Sequence, residues 1–425
     1  MEGLGQQGGC QTIHDDLYVR VLALAHDEVE VVIIGCDLLF FERSTVERFI
    51  NAIGMQTGLT PAQIFLNTSH THAGPHLTNW HYGGAPDLDY LNAIEQAMVS
   101  ATVAAIERRE PVTLEAGMAH TDLPVSRRKP DANGRAQWAP YRAAEVCHAL
   151  PFCLFKTEAG QVLSLLFSVS CHPSMIYSLD ISADYPGAAM RQLNSYFQTE
   201  GALFLQGAGG DTKPRQIAEE EAYWRPATWE EVEAAGAEVA NAVIACSTAA
   251  LSPVTPKLSI CKTTMSWPFE ATPTREELAA LIADCQAPRD RRQWAEEMLY
   301  RLDANGSLPT AVDVGLHLLQ LGPELRLVGI EGELVGEFGN RILHTFASGV
   351  TFPLGYTDGA QIYLPTSRML PEGGYEVDSY WEYHHPAKLA PGMEEILDAA
   401  LREALTDEKA VLTWKDILTA NIIDC

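Results

Sequence analysis

The sequence predicts an α/β protein whose mixed β-sheet core is flanked by helices and carries a helical insertion. Three observations lead there. Apolar β-rich runs and amphipathic helical stretches alternate along the whole chain. Some strands are joined by tight acidic or glycine turns, so hairpins are present and the sheet is mixed rather than purely parallel. Hydrophobic residues make up 47% and charged residues 20% of 425, an ordinary globular balance with ample material for a core. No tandem repeat, low-complexity tract or Gly/Ser linker separates modules. The expectation is therefore a single domain over 1–425, with a helical insertion at 217–310.

The elements follow in order. LYVRVLAL (Leu17–Leu24) and VEVVIIGCD (Val29–Asp37), joined by an acidic turn, predict a hairpin whose nearly all-apolar second strand is central. Ser44–Gln56 is helical, with Ser44 as N-cap and Glu47 three residues on. IFLNTSHTH (Ile64–His72) is a strand running into a loop, and Tyr90–Arg108 a long helix. Phe152–Ser170 holds two strands about Gly160 and ends at Cys-His-Pro-Ser. Ala202–Gln206 is a short strand ending in Gly-Ala-Gly-Gly-Asp. Ile217–Ala249 is helical and acidic, and Thr274–Leu302 continues the helical pattern. A strand at Glu324–Ile330, a helix at Glu337–Phe346 and a terminal helix at Pro391–Leu405 complete the chain.

Charge and cysteine usage exclude several functions. Lys plus Arg number 29 and Asp plus Glu 56, a formal charge of −27. Such a surface repels phosphate backbones and anionic lipid, so neither nucleic acid nor stable membrane insertion is expected. A small-molecule substrate is, and a homo-oligomer is compatible with it. The longest apolar run, Val29 to Phe41, is interrupted by Glu30 and Asp37 and is too short to span a bilayer. The N-terminus has neither a basic start nor an apolar stretch of signal type. Nine cysteines from Cys10 to Cys425 contain no CxxC pair and read as reduced thiols of a cytoplasmic protein.

Polar clusters punctuate the strand ends, where open α/β sheets gather their active sites. They are Asp37, His70-Thr71-His72, His172, the glycine-rich run ending at Asp211, and Glu333. In an extended segment His70 and His72 point to one side, and neutral imidazoles are good zinc donors. The same pair also fits a surface loop, and His172 alone fits a hydrogen-bonded core residue. GAGGD is neither a Walker loop nor a dinucleotide fingerprint. His384 and His385, adjacent in sequence, would face opposite ways and read as structural or surface residues. From these residues alone the reading stops at a metal hydrolase.

Their order is more specific. HTHAGP (70–75), CHPS (171–174), SADYPG (182–187), GAGGD (207–211), GE (332–333) and YLPT (363–366), after an early IHDDLYVR (13–20), resemble the neutral, non-lysosomal ceramidases. The likeness is closest to bacterial relatives that carry only the catalytic domain, and it runs from about Ile13 to the C-terminus. It implies a zinc site in which His70, His172, Glu333 and Tyr363 are the ligands. It also implies that His72 and Arg127 contact substrate and stabilise an oxyanion, with Arg128 the alternative to Arg127. Asp211 and Asp37 read as partners that orient a ligand or a loop.

One motif departs from the family. Ceramidases carry Gly-Asp-Val-Ser-Pro; here Gly210-Asp211-Thr212-Lys213-Pro214 places Lys213 at the serine's position. A serine-dependent step and ceramide itself are thereby in doubt. Lys213 could bind an anionic substrate group, move a proton, or be a solvated loop lysine. The first expectation is thus a zinc-dependent hydrolase whose metal-held water attacks an amide-type carbonyl of a small, water-soluble substrate. The alternatives are a zinc-dependent ester or lactone hydrolase, or a lyase or isomerase on a polar, sugar-like substrate. The last is a non-catalytic protein that keeps the metal.

Overall fold

The computed structural model describes residues 9–80, 85–249, 251–406 and 418–424. The predicted hairpin is β1 (Val19–His26) and β2 (Val29–Cys36), paired from Val19 opposite Cys36 to His26 opposite Val29. Helix α1 (Arg43–Thr57) follows. It begins before the expected Ser44: the Glu42 carbonyl accepts from Thr45 and Val46, so Glu42 occupies the N-cap position. Its end is set by Gly58, left-handed at φ +78°, where a glycine carries no Cβ penalty. Next come β3 (Ile64–Thr68), α2 (Leu88–Glu107) with Asp87 as its side-chain cap, β4 (Glu110–His120), β5 (Pro124–Pro130) and β6 (Ala136–Tyr141). The strands about Gly160 are β7 (Ala149–Thr157) and β8 (Val162–Val169); α3 (Asp184–Phe197), β9 (Ala202–Gln206) and β10 (Thr212–Pro214) follow.

The 217–310 segment holds three helices, α4 (Trp229–Ala249), α5 (Arg275–Ala283) and α6 (Arg289–Asn305). It also holds strands β11 (Ala218–Glu219), β12 (Tyr223–Trp224), β13 (Ser252–Val254) and β14 (Ser259–Pro268). Two of these are integral to the sheets: β13 pairs with β4, and β14 opens the second sheet. The chain then forms β15 (Ala311–Gly322), β16 (Leu325–Ile330), β17 (Glu333–Leu334), α7 (Gly336–Thr345), β18 (Val350–Leu354) and β19 (Tyr363–Leu364). It closes with α8 (Tyr375–Asp378), α9 (Met393–Thr406) and β20 (Leu418–Asp424).

Two sheets face each other. The larger runs β3-β2-β1-β20-β4-β7-β8-β9, with β2–β3 and β8–β9 parallel and the rest antiparallel. The smaller runs β14-β15-β16-β18. Period-two alternation assigns the faces. Leu22, Leu24, Val31 and Ile33 pack against Leu319, Leu325, Leu327 and Phe352 of the second sheet. Their neighbours Val21, Ala23, Val32 and Ile34 pack under α1 and α2. Helices α3 and α4 cover the rest of the large sheet, and α7 and α9 cover the outer face of the small one. The result is a mixed α/β protein, helices outside and two sheets within, as the alternating pattern predicts.

The two edge strands of the large sheet, β3 and β9, approach each other without pairing. The backbone N–H of Gln206 on β9 donates to Asn67 Oδ1 on β3 at 2.8 Å, and Asn67 Nδ2 donates to the Gly355 carbonyl at 2.8 Å. A Cβ at Gly35 on β2 would lie 3.0 Å from Leu203 of β9. The C-terminal ends of β3, β8 and β9 therefore converge. No helix among the described residues is long and apolar enough to cross a membrane. The described cysteines are all free; Cys425 lies outside the described residues.

Candidate metal centre

His70 follows β3 with a left-handed backbone, φ +66°, a conformation costing on the order of 1–3 kcal/mol for a non-glycine residue. It is held there by its N–H bond to the Leu38 carbonyl and by Nδ1–H donating to the Leu39 carbonyl at 2.9 Å. That bond fixes the tautomer and leaves Nε2 as a lone-pair nitrogen. His172, after β8, is fixed in the same way by Nδ1–H donating to the Gly209 carbonyl at 2.7 Å. Gly209 must come this close: a Cβ on it would stand 2.6 Å from the Cys171 nitrogen. Burial and then Arg127 push the His172 imidazole down to about 3, so it is neutral.

Glu333 and Tyr363 arrive together because β17 and β19 pair with Glu333 opposite Tyr363. Glu333 Oε2 lies 3.4 Å from His70 Nε2 and 3.5 Å from His172 Nε2, and Tyr363 Oη is 3.4 Å from His172 Nε2. A tetrahedral ion with bonds of about 2.0–2.2 Å separates its ligands by about 3.3–3.6 Å, and these distances match. Two imidazole lone pairs and a carboxylate oxygen facing one another, all buried, are a set of donors suited to a cation among them. The donor set therefore fits a divalent metal.

His72 Nε2 lies 3.3 Å from His70 Nε2, and its Nδ1 is buried without a hydrogen-bond partner. The three imidazoles thus form one group from which a metal could draw donors. Burial, His70, His172 and Lys213, in that order, keep His72 neutral. Arg127 donates from Nη2 to Tyr363 Oη at 2.9 Å, has Nη1 3.4 Å from His172 Nε2, and lies 4.3 Å above the centre of the Trp138 ring. Arg128 instead binds Glu372, Glu376 and the Gly373 carbonyl. A register shift between Ser126 and Arg128 on β5 separates the two directions. Of the two arginines, Arg127 is the one brought to the donors.

Asp211 and Asp37 do not touch the donors. Asp37 pairs with Arg20 at 2.8 Å. Asp211 Oδ1 accepts from the Gly336 N–H at 2.8 Å, satisfying the first turn of α7, while its carbonyl accepts from the Arg127 N–H. Burial pushes the Asp211 carboxyl up to about 6. A raised folded-state pKa means stability present at low pH and lost as pH rises through about 6. Asp211→Asn keeps an acceptor and does not titrate. Wild type should therefore lose about 2–3 kcal/mol relative to Asp211→Asn between pH 4 and pH 7, measured by urea unfolding at each pH.

Lys213, on β10, donates to Tyr177 Oη at 3.0 Å. Several residues at the centre carry no sequence signal. Tyr356 Oη donates to Glu333 Oε2 at 3.2 Å, and its ring lies 4.2 Å from that of His70. Tyr383 Oη donates to Glu333 Oε1, and Glu376 Oε1 accepts from Arg127 Nε at 2.7 Å. Tyr383 directly precedes the more conspicuous His384 and His385, whose rings bind Glu297 and backbone carbonyls elsewhere. A second group, His120, Asp122 and His148, lies at the surface, with His120 Nε2 3.0 Å from Asp122 Oδ1.

No protein-family model matches the chain, and no curated protein matches it. Solved structures do. A neutral ceramidase from Pseudomonas aeruginosa aligns with a TM-score of 0.66 and 16% identity, over 94% of this chain and 77% of that one. A ceramidase complexed with C2 aligns with a TM-score of 0.66 and 14% identity, over 94% and 78%. The chain thus has a ceramidase-like fold.

Proposed function

We propose that the protein is a zinc-dependent hydrolase acting on an amide-type carbonyl of a small substrate. The observation that carries this is the convergence of two tautomer-locked imidazoles, the Glu333 carboxylate and the Tyr363 phenol, with neighbouring donor atoms 3.4–3.5 Å apart. His70, His172, Glu333 and Tyr363 would hold the ion. Bound there, zinc would supply Lewis acidity, acidifying water toward neutral pH and polarising the carbonyl. Arg127, fixed by Glu376 and stacked on Trp138, and His72, with its unpartnered Nδ1, would donate toward the carbonyl oxygen as it gains charge. His72 can do so only as the tautomer, or the cation, that carries a proton on the nitrogen facing the substrate. Tyr356 and Tyr383, donating to Glu333, keep its carboxylate oriented. The likeness in fold to ceramidases favours an amide over an ester or lactone.

The test is metal content by inductively coupled plasma mass spectrometry on protein purified without a tag or chelator. About one zinc per chain is expected, with hydrolysis of N-acyl compounds lost on chelation and restored by zinc. Folded protein that neither holds nor takes up zinc would overturn the reading. Cleavage of esters or lactones with no amide cleavage would move it to the second class of substrate.

A further inference from the structure

Lys213 is 1% exposed. Its Nζ spends one N–H on Tyr177 Oη at 3.0 Å, and among the described residues it makes no ion pair. Asp184, the carboxylate that acts on it, has both oxygens committed to the backbone N–H groups of Met175 and Tyr185. Burial, then Arg127, push the Lys213 ammonium down to about 7, and two of its N–H donors are unused; an arriving anion that accepts from them would hold the charged form.

The surroundings supply more donors. Nζ lies 5.1, 5.8 and 5.9 Å from the ring centres of Tyr177, Trp138 and Trp224. The Trp224 indole N–H is buried without a partner, and Tyr177, accepting from the lysine, keeps its own proton to donate. Trp138 joins this cluster to the metal donors, because Arg127 stacks on the same ring and reaches Tyr363 and His172. Trp138 is itself 45% exposed, so the ring leads from solvent to both cations. Arg127 is already balanced by Glu376, whereas Lys213 is not. One unbalanced ammonium among neutral donors suits a monoanion; a phosphate dianion calls for several cations or an arginine fork.

We propose that Lys213 is a specificity-determining residue that binds a carboxylate on the substrate, so that the substrates are N-acyl amino acids rather than neutral lipid amides. This rests on the metal-hydrolase reading, and the test separates the two. The probes are N-acetyl amino acids, N-acetylphenylalanine among them, each paired with the amide of the decarboxylated amine, here N-acetylphenethylamine. Calorimetry on metal-free wild type should show binding of the carboxylate member only, and Lys213→Met should abolish it. With zinc-loaded protein, kcat/KM should favour the carboxylate member by at least about 100-fold. The ratio should collapse toward one in Lys213→Met and be partly kept in Lys213→Arg. Carboxylate binding without hydrolysis would sink the hydrolase and leave this inference standing. Hydrolysis with equal kcat/KM for the two members, or a preference unchanged in Lys213→Met, would overturn the inference and leave the hydrolase. The wild-type comparison requires no variant to fold, and its failure across the panel would be decisive.

Discussion

Replacing His70 by alanine is expected, on the proposed zinc-hydrolase reading, to empty the site of metal and to lower hydrolysis by on the order of 10³-fold or more. The geometry explains both. His70 Nε2 stands 3.4 Å from Glu333 Oε2 and is pointed there by the bond from Nδ1 to the Leu39 carbonyl. Lewis-acid stabilisation of a transition state is worth several kcal/mol, and about 1.4 kcal/mol corresponds to one decade in rate. Mass spectrometry and kcat/KM should therefore fall together. Alanine relieves none of the left-handed backbone strain and leaves the Leu39 carbonyl without its donor, so denaturant unfolding of the variant is measured alongside. A His70→Ala protein that is folded, zinc-replete and active would show that the ion is held by other groups.

What could be read from the sequence follows from how local each signal is. The β1–β2 hairpin is legible because its apolar run and acidic turn are contiguous. His70, His172 and Glu333 stand out as histidine or carboxylate at the ends of apolar strands, but their grouping is legible only through the order of motifs that resembles the ceramidases. Tyr356, Tyr383 and Glu376 are ordinary residues in loops and one short helix. They reach the centre only because the pairing of β17 with β19 and the fold of α8 bring distant chain together. Strand β14, reading SICKTTMSWP, keeps one face open to solvent and lacks an apolar run. Its place in the second sheet emerges only from its partner β15, which lies beyond two intervening helices. The central position of β20, between β1 and β4, is invisible for the same reason.

Glu376 shows how much can rest on such an unannounced residue. It is 3% exposed and accepts from Arg127 Nε at 2.7 Å and from Arg128 Nη1 at 2.5 Å, both arginines being buried. Truncation in Glu376→Ala leaves two buried guanidinium groups facing a void. Breaking a buried ion pair by removing one partner costs about 3–5 kcal/mol, and denaturant unfolding should show a loss of that size. Glu372→Ala removes a partly exposed partner of Arg128 and should cost less than about 1 kcal/mol. Glu376→Gln retains one acceptor but not the charge, so it should fall between them. The functional consequence passes through Arg127. Freed from Glu376, the guanidinium still has Tyr363 and Trp138 but loses the bond that fixes its plane. Below the unfolding transition, kcat should drop by about 10–100-fold with KM little changed if Arg127 is the oxyanion donor proposed above, since such a donor acts mainly in the transition state. Were Glu376→Ala no less stable than Glu372→Ala and as active as wild type, Tyr363 and Trp138 alone would suffice to aim Arg127.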